Sequence, residues 1–105
     1  MSKWLKTCVV ADIPRLGARV VRHGDEDIAL FRTAQDKVFA LRDKCPHKGG
    51  QLSQGIVFDE KVSCPMHGWQ LYLESGEAVA PDEGCARRYP VKVEGGMVFL
   101  QVEPV

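Results

Sequence analysis

No apolar run in this chain exceeds four residues, and that brevity constrains the fold more than any other feature. The longest are runs such as Ile28-Ala29-Leu30-Phe31 and Val38-Phe39-Ala40-Leu41. Short apolar segments bounded by turn residues fit strands of roughly 4–8 residues, whereas a membrane-spanning helix needs about 20 apolar residues in a row. Arg19-Val20-Val21 leads through the polar turn 23–27 into a return strand, Ile28 to Arg32. Gln35-Asp36 marks the next turn, before a strand over Lys37 to Arg42. Ile56-Val57-Phe58 and Lys61-Val62-Ser63 flank Asp59-Glu60 as a second hairpin, and Val91 to Glu94 closes on Met97 to Val102 across Gly95-Gly96. A Gly-Gly pair supplies the positive φ angles that two-residue hairpin turns require. The one helical signal is a single turn over Asp12 to Leu16, with Asp12 as N-cap, Pro14 in the first turn and Gly17 as the stop. The pattern predicts an all-β chain built as a small antiparallel sandwich or barrel.

At 105 residues the chain has material for one domain. Fourteen Lys and Arg balance fourteen Asp and Glu, so no global basic field exists for nucleic acid or an anionic membrane. Met1 to Lys6 carries two lysines, but the apolar stretch behind them is cut by Asp12 and Pro14, too early for a signal-peptide core. The expected address is therefore cytoplasmic. In a reducing compartment, four cysteines are expected as metal ligands or thiols and not as a disulfide framework. Cys8, inside Cys8-Val9-Val10-Ala11, is expected to be a buried thiol, with Cys85 in a loop.

Two segments depart from the hairpin pattern. Asp43-Lys44-Cys45-Pro46-His47-Lys48-Gly49-Gly50 contains Cys-x-His, and Ser63-Cys64-Pro65-Met66-His67-Gly68-Trp69 contains Cys-x-x-His, with sixteen residues between the two motifs. Each half offers one thiolate and one imidazole. A cysteine and a histidine so close on one loop can reach two neighbouring metal atoms, so two thiolates can hold one iron and two imidazoles the other. Proline after each cysteine stiffens its loop. Gly49, Gly50 and Gly68 allow a close backbone approach, with amides able to donate to inorganic sulfide. Two Cys and two His also suit a structural zinc. Against zinc stands the mixing of both ligand types within each loop. A nucleophilic Cys64–His67 pair would leave Cys45 and His47 unexplained.

Cys45-Pro46-His47 together with Cys64-Pro65-Met66-His67-Gly68-Trp69 resembles the signature of the Rieske [2Fe–2S] family. The resemblance implies that Cys45 and Cys64 ligate an inner iron and that His47 and His67 ligate an outer one. It also implies a single Rieske domain over residues 1–105, with an all-β base and an inserted cluster-binding subdomain at about 43–73. High-potential members carry an extra cysteine in each loop, where this chain has Gly50 and Met66. They also place hydroxyl donors where Trp69 and Leu71 stand. Those departures predict a potential near the low end of the Rieske span, on the order of −150 mV.

Gly76-Glu77-Ala78, Pro81 to Cys85 and Tyr89 to Glu94 resemble the small subunit of assimilatory NAD(P)H-dependent nitrite reductase. That likeness implies a large partner subunit with flavin, sirohaem and an iron–sulfur centre, and a relay role in the six-electron reduction of nitrite to ammonium. Ferredoxins of ring-hydroxylating dioxygenases share the ligand loops, so a free-standing ferredoxin is the alternative; a zinc-stabilised binding module is the second. His23 and Asp25-Glu26-Asp27 are expected at a solvated turn tip. Trp4, Phe58, Trp69 and Tyr72 are expected in the core, with Trp69 shielding the metal centre. Residues 1–22 hold five bases against Asp12, and residues 74–85 hold four acids and no base, both expected as solvated faces or docking surfaces.

Overall fold

A computed structural model describes residues 4–46, 49–65 and 68–101. Among them the chain runs β1 (Trp4–Val9), a 3₁₀ turn (Val10–Asp12), β2 (Gly17–His23), β3 (Glu26–Arg32) and β4 (Val38–Arg42). It continues through a second 3₁₀ turn (Leu52–Gln54) into β5 (Ile56–Phe58), β6 (Lys61–Ser63) and β7 (Gln70–Tyr72), then β8 (Arg88–Tyr89), β9 (Val91–Glu94) and β10 (Met97–Gln101). The strands form three antiparallel sheets, ordered β1-β10-β9, β2-β3-β4-β8 and β5-β6-β7. The all-β expectation holds. No helix among the described residues is long and apolar enough to cross a membrane.

The four-residue apolar runs of β3 and β4 owe their length to burial on both faces of one sheet. Successive side chains of a strand point to opposite sides. Ile28 and Leu30 of β3, with Ala40 of β4, enter one core, alongside Ile13, Val98, Leu100, Tyr89 and Cys8. Ala29 and Phe31 of β3, with Leu41 of β4, enter a second core, alongside Leu52, Val57, Val62, Leu71, Leu73, Ala86, Cys45 and Cys64. Strands β3 and β4 are thus a wall between two interiors. Each fully buried Leu, Ile or Phe contributes about 1.5–3 kcal/mol of transfer free energy, so the wall anchors both halves.

The hairpins lie where the turn residues place them, with refinements. The β2–β3 turn is only Gly24-Asp25, because His23 pairs with Glu26 and Arg22 with Asp27; Glu26 and Asp27 belong to the strand. The β5–β6 hairpin turns at Asp59-Glu60, with Asp59 at positive φ, and β9–β10 at Gly95-Gly96, where both glycines are at positive φ. Strand β10 ends at Gln101, and Val102 lies outside the described residues.

The helical turn over Asp12–Leu16 does not form. A 3₁₀ turn sits earlier, at Val10–Asp12, and Asp12 ends it instead of capping it. Pro14 opens a tight turn in which the Gly17 amide donates to the Pro14 carbonyl (2.9 Å). The Arg32 guanidinium fixes this crossing by donating to the Ile13 carbonyl at 2.9 Å while pairing with Asp36 at 2.8 Å. Trp4 and Tyr72 are surface residues, not core, at 37% and 43% exposure. Lysine ammonium groups lie over them: Lys92 Nζ is 4.7 Å from the Trp4 ring centroid and Lys61 Nζ 5.8 Å from that of Tyr72. Cys8 is buried and Cys85 exposed, and both are thiols with no disulfide between them.

Candidate metal centre

The third sheet and its loops are inserted between β4 and β8, against the second core. Cys45 follows β4 and Cys64 follows β6, so each motif begins where a strand stops. Their backbones fold alike. The Cys45 amide donates to the Gly50 carbonyl at 2.7 Å, and the Gly49 amide returns to the Cys45 carbonyl at 2.9 Å. In the other loop the Cys64 amide donates to the Trp69 carbonyl at 2.6 Å, and the Gly68 amide returns to the Cys64 carbonyl at 3.2 Å. Gly49 and Gly68, each four residues past its cysteine, sit at φ +72° and +70°. Among the described residues nothing lies within 4 Å of a β-carbon built on Gly68, and the Lys44 side chain approaches one on Gly49 at 3.5 Å. The left-handed backbone favours glycine at both positions. The Gly49 and Gly68 amides are directed to the carbonyls of Cys45 and Cys64.

Both cysteines are 1% exposed and share the second core. A thiolate in such apolar surroundings is costly without a compensating positive centre. Two sulfurs delivered by separate loops into one interior are a donor set that could hold a metal. His47 and His67, the other two expected ligands, lie outside the described residues, as do Lys48 and Met66. Among the described residues no three metal-capable side chains assemble. The buried half of the donor set therefore fits a thiolate-held metal centre.

Two further features brace the loops. The Asp43 carboxylate is nearly buried and accepts from the Ser53 amide and hydroxyl, each at 2.7 Å. This clamp ties the start of the first loop to the 3₁₀ turn that ends it. A third loop lies across both: a β-carbon on Gly84 would stand 3.3 Å from Pro46 and 3.8 Å from the Trp69 ring. Trp69 is half-buried against the second core, in keeping with a shielding position. Sequence patterning missed these braces, because Asp43–Ser53 and Gly84–Pro46 are contacts between residues distant in the chain.

Behind the first loop lies a charged network. The Tyr89 hydroxyl donates to the Glu26 carboxylate, which also pairs with Arg87 (3.3 Å) and Arg42 (3.8 Å). The Tyr89 hydrogen bond, helped by the two arginines and His23 against some desolvation, holds the Glu26 carboxyl below its usual range. Burial first, then the Glu26 hydrogen bond, pushes the Tyr89 phenol up to about 12.

With this geometry in place, the comparisons with known proteins agree on the fold. The Rieske [2Fe–2S] domain family matches residues 3–90. The 3-phenylpropionate/cinnamic acid dioxygenase ferredoxin subunit of Escherichia coli K12 is 34% identical over 97 residues, covering 90% of each chain. The solution structure of the Escherichia coli protein NirD superposes with a TM-score of 0.86 at 26% identity, covering 99% of this chain and 100% of that one. A Mycobacterium tuberculosis chain described as an NADH-dependent nitrite reductase small subunit superposes at 0.88 with 23% identity, covering 100% and 99%; this likeness bears on the fold alone. The chain spans only 20% of the chloroplast protein TIC 55 of Pisum sativum, to which it is 26% identical over 94% of its own length.

Proposed function

Because the chain belongs to the Rieske [2Fe–2S] family, we propose that it is a one-electron relay, the small subunit of a nitrite reductase fed by NAD(P)H. Its cofactor is a Rieske-type [2Fe–2S] cluster, which supplies reversible storage of one electron. In this reading Cys45 and Cys64 hold the inner iron, His47 and His67 the outer, and residues 43–73 form the cluster-binding part of one domain. The observation that carries the reading is the matched pair of loops, each delivering one fully buried cysteine into the same core. The chain's own residues do the remaining work. The glycine-closed loops fix the cysteine positions, Asp43 and Ser53 hold the first loop in register, and Trp69 and the Gly84 loop keep water from the buried side.

End-to-end structural likeness to NirD at 26% identity supports the nitrite reductase assignment. The partner would be a large subunit with flavin, sirohaem and iron–sulfur, and the setting cytoplasmic. The second reading, a free-standing dioxygenase ferredoxin, is favoured by the 34% identity to the Escherichia coli ferredoxin subunit. Native purification of a tagged chain from its host separates the two. The first reading expects a co-purifying large subunit with sirohaem absorption and NAD(P)H-dependent ammonium formation, which the chain alone does not support. A chain that elutes alone and sustains ring hydroxylation in trans overturns it. Iron, acid-labile sulfide and the electron paramagnetic resonance of the dithionite-reduced protein test the relay itself. A colourless, zinc-loaded protein would refute it, and retention of the wild-type signal by both His47→Ala and His67→Ala would refute the ligand set.

A further inference from the structure

Beside the first ligand loop lies an open cleft of about 510 Å³, lined by Arg42, Lys44, Arg87, Cys45, Pro46 and Cys85, among others. Three cations from two separate parts of the chain converge there. A tight turn, with the Lys44 amide on the Arg42 carbonyl at 2.7 Å, brings Arg42 and Lys44 to the same wall. The Arg42 amide donates to the Arg87 carbonyl at 2.8 Å, which stitches the opposite wall to it. The arginines are also held in place. The Arg87 guanidinium lies 5.1 Å from the Tyr89 ring centroid and 3.3 Å from Glu26, and Arg42 approaches the same carboxylate at 3.8 Å. The Tyr89 hydroxyl also engages Glu26. Nearby Asp27 pairs with Arg22, and Asp43 is turned inward to Ser53. The described lining carries three bases and no acid, while Asp25, Glu26, Asp27 and Asp43 line the adjoining cleft that shares Arg42 and Lys44; the ordering cost of the bases is partly met before any partner arrives.

We infer that this cleft seats an acidic segment of the protein that exchanges electrons with the chain. The proposal rests on the relay reading and adds the face and charge of the docking partner. Its wall is continuous with the Cys45-Pro46 loop, so a carboxylate seated between the three bases brings the partner's surface up to the metal-binding loop. Oppositely charged patches raise encounter rates and fix orientation more than they add affinity. Neither charge run seen along the sequence contributes a base here, because the cleft is assembled by β4, the first loop and the segment before β8.

The test uses the reduced holo-protein in stopped flow with two small oxidants, anionic ferricyanide and cationic hexaammineruthenium(III). Each takes one electron and no bond is made or broken. The ratio of the two rates at low salt is expected to fall about tenfold or more in Arg42→Glu/Lys44→Glu/Arg87→Glu, and to stay within about twofold in the control Lys6→Glu/Arg19→Glu/Lys92→Glu. The neutralising pair Lys44→Gln/Arg87→Gln, which keeps the Arg42–Glu26 contact, is expected to fall between them. A hexa-aspartate peptide should slow ferricyanide oxidation of the wild type and of the control but not of the charge-reversed cleft. Equal ratios in cleft and control variants, or equal slowing by the peptide, overturn the docking proposal while an intact reduced-state signal leaves the relay reading standing. Loss of iron and signal from the wild-type protein sinks both.

Discussion

The two cores on either side of the β3–β4 wall are built from the same kinds of residue yet are closed differently. The base core is sealed by the chain's own apolar side chains, with Ile13, Ile28, Leu30, Val98 and Leu100 all inaccessible to solvent. The site core has Phe31, Leu52, Leu71 and Leu73 at the same level, but two of its members are cysteine sulfurs presented by loops. The strands of its own sheet are also short, three residues each in β5, β6 and β7, against six in β1, four in β9 and five in β10. One half of the molecule can therefore stand on transfer free energy alone. In the proposed reading the other is completed by a metal that Cys45 and Cys64 would hold, so binding free energy would be part of its folding free energy.

Removing the metal should break the symmetry between the halves most severely. Cys45→Ser and Cys64→Ser are each expected to abolish cluster assembly, read as loss of iron and of the reduced-state resonance. In chelated wild-type protein, amides of Val57, Val62 and Leu71 should exchange at least about a hundredfold faster, while those of Leu30 and Val98 change far less. Uniform loosening across all three sheets would mean that the two cores are one cooperative unit. A matched pair of truncations sharpens the point. Leu30→Ala should cost about 3 kcal/mol with or without metal, whereas Leu71→Ala should cost about 3 kcal/mol only in the holo-protein. Chemical denaturation of both forms checks it.

How far the sequence disclosed each half follows from what holds it. The hairpins at Asp59-Glu60 and Gly95-Gly96 were legible because local turn chemistry fixes them, and the four-residue runs were legible as strands. That those runs face two interiors was not, since a continuous apolar stretch does not say how many sheets pack on it. Strands β1, β7 and β8 escaped notice: Arg88-Tyr89 is two residues long and is a strand only because it pairs with Ala40 and Leu41. The single helical turn was misplaced, as Asp12-Ile13-Pro14 has the capping pattern but Ile13 is drawn into the base core and Arg32 holds its carbonyl. Trp4 and Tyr72 were expected inside on size alone, yet each packs under a lysine at the surface. Within the site the paired loops were legible because the spacing from each cysteine to its glycine is local. Asp43–Ser53, the Gly84 contact and the Arg42–Lys44–Arg87 cleft were not, because each joins separated segments.

The Asp43–Ser53 clamp is a smaller lever on the same comparison. Ser53→Ala removes one donor and leaves a nearly buried carboxylate oxygen unmet, at a cost of about 2 kcal/mol. The effect should appear as faster exchange over residues 43–53, with the β9–β10 hairpin unchanged. If the loss spreads evenly through the protein, the clamp is not local to the first loop.

The smallest expected effect sits on the base side, where Tyr89 joins β8 to the start of β3. Its phenol has a folded-state pKa raised from 10.0 to about 12, so folding favours the protonated form. That contribution is fully present below pH 10 and is lost as the pH rises through about 12. Glu26 acts at the other end of the scale: its carboxyl is lowered from 4.5, so its contribution is present above that value and lost on acidification. Tyr89→Phe deletes a hydrogen bond to a charged acceptor that is itself partly solvated, for about 1.5 kcal/mol at neutral pH, the low end for such bonds. The variant should also flatten the stability decline between pH 10 and about 12, and ultraviolet titration should lose its late phenolate step. Because Tyr89 packs only in the base core, metal removal should leave that alkaline window where it is. A shift of the late step on chelation would show that the Glu26–Tyr89 network feels the cluster through Arg42 and the first ligand loop, and the wall between the two interiors would then transmit more than it separates.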